Sequence, residues 1–104
     1  MDILEKIKTA IVKGRINMTD HADEELANDE IQDEDLLRSV LHGEIIEDYP
    51  NDKPFPSCLV HGKGKKERHI HSVWAYSAEH DIAIVITGYI PDPDRWIDHK
   101  IRRR

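Results

Sequence analysis

The chain has no apolar run near the ~18 residues that a membrane-spanning helix needs, so no transmembrane segment is expected. It has one cysteine, Cys58, which cannot form an internal disulfide. A reducing, cytoplasmic setting is the natural expectation. The opening MDILEKIK alternates charged and apolar residues at helical spacing, which does not fit a secretory signal. Internal repeats and long linkers are also missing. The 104 residues read as one domain, 1–104, with one modest core.

An excess of positive charge is missing as well. The net charge is −6, which at first argues against a nucleic-acid partner. The distribution changes that. Residues 1–52 hold 5 Lys/Arg and 15 Asp/Glu, a balance of −10, whereas residues 53–104 hold 10 and 6, a balance of +4. Five of the seven histidines lie in the second half. A basic, His-rich half can focus an anion onto one face, although mutual pairing of the two halves explains the same composition.

Periodicity predicts a helix over residues 2–13, with Ile3, Leu4, Ile7, Ala10 and Ile11 on one stripe and its end near Gly14. Residues 15–19 read as a link. Thr19 or Asp20 offers an N-cap to a second helix, running to about Asn28 with Ala22 and Leu26 inward. Gln32 or Asp33 starts a third, with Leu36, Leu37, Val40 and Leu41 inward and Gly43 in the left-handed position past its end. Strands are predicted at 44–48, 57–62, 69–77 and 82–90. YPNDKPFPS is a rigid loop between the first two, and GKGKKER is a basic hairpin tip. The run IAIVITGY suits a central strand covered on both faces. The expected fold is α+β, with two to three N-terminal helices packed on a four-stranded antiparallel sheet.

TDHADEEL, then GEIIEDYPNDKPFPSCL, then His71 two residues before VWAY, then ITGYIPDPDRW together resemble a bacterial family, domain-of-unknown-function family 4258, over roughly residues 18–97. That family is commonly placed near the RelE/ParE-like toxins, which are small metal-independent endoribonucleases. The resemblance therefore implies a RelE-like ribonuclease-type fold, RNA as substrate, no cofactor, and a small zinc-finger antitoxin as partner. It selects His21, His71 and Tyr89 as site residues. Glu25 and Asp29 stand where relatives carry arginine.

The chemistry explains why histidines matter. Metal-free RNA cleavage needs a base for the 2′-hydroxyl proton, an acid for the leaving 5′-oxygen, and cations for the phosphate. Imidazole can serve as either base or acid near neutral pH. His21 and His71 are the expected acid–base pair, meeting in a cleft between helix and sheet, with Tyr89 assisting. Lys63, Lys65, Lys66 and Arg68 are the expected RNA contacts. A zinc site of His61, His69 and His71 is a weaker reading, because no Cys or acid stands at ligand spacing. His69 reads as an edge or surface residue, and Cys58 as a small buried hydrophobe. A rival reading keeps the fold but makes the domain a non-catalytic protein-interaction module.

Overall fold

A computed structural model describes residues 2–104. Helix α1 (Ile3–Val12) starts where Asp2 accepts a hydrogen bond from the Glu5 amide, 2.9 Å away. It ends before Gly14, whose φ of +75° falls where glycine avoids a Cβ clash. The next residues are not a link. Ile16–Met18 form strand β1, which pairs in parallel with a later strand. Helix α2 (Asp20–Asn28) is capped by Thr19, whose hydroxyl accepts from Ala22 N at 3.1 Å and donates to Val85 O at 3.0 Å. One side chain thus starts the helix and ties it to the sheet.

Helix α3 (Asp33–Leu41) has no side-chain cap at Gln32, but Asp33, Glu34 and Asp35 in its first turn suit the helix dipole. The expectation for Gly43 is corrected. It does not have positive φ. A Cβ there would sit 2.4 Å from Ser39 O and 2.7 Å from His61 O, so glycine is needed for close approach of backbones.

Strands β2 (Glu44–Tyr49), β3 (Ser57–Lys63), β4 (His69–Ser77) and β5 (Ile82–Tyr89) form an antiparallel meander. With β1 added, the sheet is five-stranded and mixed, in the order β1-β5-β4-β3-β2, rather than four-stranded and antiparallel. Strands β6 (Trp96–Ile97) and β7 (Ile101–Arg102) pair as a separate hairpin.

All three helices lie on one sheet face. Ile7, Ala10, Ala22, Leu26, Leu36 and Val40 pack with Cys58, Val60, Ile70, Trp74, Ala83 and Val85 in one cluster. Gly62 and Gly88 belong to this face. A Cβ on Gly62 would fall 1.7 Å from Ser39 O, and one on Gly88 would fall 2.6 Å from Leu26 Cδ2. Side chains alternate across a strand, so His61, His71 and Tyr89, each one residue out of step, project from the opposite face. The same alternation corrects the reading of β5. Ala83 and Val85 are sealed under the helices, while Ile84 and Ile86 on the other side stay half-buried. No helix is long and apolar enough to cross a membrane.

Candidate functional site

Four imidazoles gather on the helix-free face. His61 and His71 are direct partners across β3 and β4, and Lys63 pairs with His69. These registers place His61, His69 and His71 side by side. His99 arrives from the β6–β7 turn and stacks on His69 with ring centroids 3.6 Å apart. His61 Nε2 lies 2.9 Å from His69 Nδ1. One of these nitrogens must be bare to accept, so the two rings cannot both be imidazolium in this arrangement. Burial, then the neighbouring imidazoles, push His61 down to about 4. Burial also lowers His69, with His99 second. Both rings are therefore neutral at pH 7.

His71 is fully buried. Its Nε2 lies 2.5 Å from the His99 carbonyl oxygen. A carbonyl can only accept, so Nε2 carries the proton. In the neutral ring Nδ1 is then bare and accepts from the Tyr89 hydroxyl at 3.3 Å. The geometry thus fixes the tautomer. Burial is the main cause lowering the His71 pKa and raising that of Tyr89.

The C-terminal hairpin covers this cluster like a strap. Trp96 lies edge-on to His71 with centroids 4.5 Å apart. Lys100 meets Glu44 at 2.7 Å. Arg102 grips both carboxylate oxygens of Glu47, at 2.9 and 3.1 Å, and stacks over Trp96. Tyr49 donates to the same carboxylate. Arg102 holds Glu47 below the usual carboxylate range. A pocket of about 310 Å³ remains beside Tyr89, bordered by Arg95 and Arg102.

His71 and Tyr89 are brought together as expected, but the shared cleft of His21 and His71 does not form. His21 is exposed on α2, which packs on the other side of the sheet through Leu26. The hairpin-tip cations are largely engaged within the fold. Lys63 pairs with Glu67 and Lys65 with Glu34, while Arg68 donates to the carbonyls of Glu30 and Asp29. Lys66 is exposed and has φ of +58°. Asp29 accepts from Ile90 N at 2.7 Å and ties α2 to the end of β5. Glu25 is half-buried on α2. Cys58 is buried, its thiol pushed up to about 12.

His69 is corrected from an edge residue to a half-buried member of the cluster, because His99 folds back over it. Among the described residues no group of three or more His, Cys, Asp or Glu is arranged to hold a metal ion. His61 Nε2 and His69 Nδ1 are turned to each other, and His71 turns its Nε2 to a carbonyl. Sequence reasoning missed His99, Trp96, Glu47 and Arg102. Glu47 and Trp96 lie within the motifs GEIIEDYP and ITGYIPDPDRW, which gave them no role, and for His99 and Arg102 the only signal was the tail segment HKIRRR, whose return to the sheet no local pattern announces.

The fold and site define an α+β domain with helices on one sheet face and a histidine cluster on the other. Its residues 18–90 match the family model described as domain of unknown function DUF4258, and the chain belongs to that family. No curated protein and no solved structure matches it.

Proposed function

We propose that the helix-free sheet face is the proton-transfer site of a metal-independent endoribonuclease of toxin-like kind. One observation carries this reading: two hydrogen-bonded pairs, His61–His69 and His71–Tyr89, converge on a face where the core does not need them. A neutral imidazole can take the 2′-hydroxyl proton as that oxygen bonds to phosphorus. The bond from phosphorus to the 5′-oxygen breaks, and the imidazolium formed in the first transfer gives the proton to that oxygen. The products are a 2′,3′-cyclic phosphate and a 5′-hydroxyl. His21, on the far side of the sheet, has no part in this site. A bacterial source and a zinc-finger antitoxin as partner are carried over from the family resemblance, and a cytoplasmic setting from the single cysteine, Cys58.

The test is incubation of the purified chain with total RNA in a chelator, with product ends identified. His61→Ala and His71→Ala should each slow cleavage by about 10²-fold or more. Intact RNA at high wild-type concentration would end this reading. A second reading, a non-catalytic interaction module, is favoured by the closure of the strap over His71. It predicts normal partner binding in both variants.

A further inference from the structure

Beside the cluster an open cleft of about 570 Å³ runs between the end of α3 and the β3–β4 hairpin. Its cations come from three separate parts of the chain. Arg38 lies on α3, Lys63 ends β3, and Lys100 belongs to the β6–β7 turn. His42 stands at the rim and the buried His61 forms part of the wall. Gly43 and Gly62 let α3 come into backbone contact with β3 there, since Ser39 O fills the space where either Cβ would go.

Two carboxylates also line the cleft, and each already has a lysine. Lys100 meets Glu44 at 2.7 Å and Lys63 meets Glu67 at 3.4 Å, all four side chains about half exposed or more. Exposed pairs of this kind are weak and exchange partners readily. Arg38 is exposed and has no carboxylate partner among the described residues. The α3 C-terminus alone accounts for a cation at Arg38. It does not account for Lys63 and Lys100 reaching the same cleft from other elements.

We propose that this cleft binds a phosphate of a polynucleotide backbone. Arg38 is the anchor, because its planar fork can donate two parallel hydrogen bonds to phosphate oxygens. Lys63 and Lys100 turn to the phosphate from Glu67 and Glu44, and His61 is the imidazole presented to it. Only the part given to His61 rests on the ribonuclease reading; phosphate affinity stands without it.

The probe is a fluorescent 2′-O-methyl oligoribonucleotide, which has no free 2′-hydroxyl and cannot be cleaved by that route. Binding is followed by anisotropy against salt concentration. The wild-type chain should bind at about 50 mM salt and weaken steeply as salt rises. Arg38→Gln should weaken binding tenfold or more and reduce the salt slope by about one. Lys53→Gln, exposed in the β2–β3 loop at the opposite end of those strands, should change affinity less than twofold. Arg38 is exposed, and circular dichroism checks that the variant folds. No binding by wild type, or unchanged binding in Arg38→Gln, overturns the proposal. Arg38-dependent binding without any RNA cleavage keeps the phosphate site and removes the ribonuclease. Cleavage with binding indifferent to Arg38 does the reverse.

Discussion

On one side of the sheet Trp74 lies fully buried in the cluster with Ile7, Leu36 and Val40. On the other, Trp96 is almost as well buried, yet it belongs to a hairpin whose strands form no ladder with the sheet. Three helices carrying apolar stripes close the first face. Charged and ring contacts close the second: Arg102 on Glu47, Lys100 on Glu44, His99 on His69. The hairpin also lies outside residues 18–90, the part that matches the family. Equal burial therefore hides unequal anchoring. Apolar packing scales with area removed from water, whereas exposed ion pairs contribute little each.

The largest expected effect tests that difference directly. Trp74→Ala should cost about 3–5 kcal/mol and unfold the whole chain in denaturant at lower concentration. Trp96→Ala should cost about 1–2 kcal/mol and leave the helical circular dichroism intact. Equal costs would break the comparison. Next, a chain ending after Asp94 should still fold, with a loss of about 1–3 kcal/mol. In it His71 should lose the burial that lowers its pKa, so its NMR titration should move back towards the ordinary histidine range. A truncated chain with no native spectrum would show the strap to be part of the core.

The third effect is of pH. His61 titrates at about 4 when folded and near ~6.5 when unfolded. Between these values the unfolded state binds more protons, so stability rises with pH. The contribution is complete above ~6.5 and is lost as pH falls towards 4. His61→Gln should flatten the stability profile across that window, measured by urea midpoints. Glu47, held low by Arg102, acts in the same direction but at lower pH, since its contribution is lost as pH falls through its depressed value. The smallest effect is that of Arg102→Gln, about 0.5–1 kcal/mol at neutral pH, together with a rise in the Glu47 pKa read by NMR.

Much of the helix face was legible in the sequence. The stripes at Leu4–Ile11 and Leu36–Val40, the Thr19 cap and the β4 and β5 spans follow from periodicity and side-chain chemistry that act locally. β1 was not legible, because three residues are too few to show alternation and its pairing partner lies more than sixty residues away. Gly43 was misread because close approach and positive φ both demand glycine, and the sequence does not separate them. The site was half legible. His71 and Tyr89 could be chosen, but their neighbours could not. The face to which a strand residue points depends on register, and His21 looked available only while the helices had no assigned side. His99 and Arg102 join the site through a reversal of the tail, fixed by contacts with Glu47 and His69 that no window of sequence contains.

The two tryptophans give the molecule separate optical reporters. Indole emission responds to its surroundings and is quenched by a nearby imidazolium. With Phe in place of Trp74, the remaining emission comes from Trp96, pressed against the His71 ring. With Phe in place of Trp96, it comes from the helix-side core, where Trp74 donates to Ser72 at 2.9 Å. A change confined to the first signal marks movement or protonation at the strap, and a change in both marks unfolding. Local opening of the histidine face can thus be timed in solution, without label or substrate.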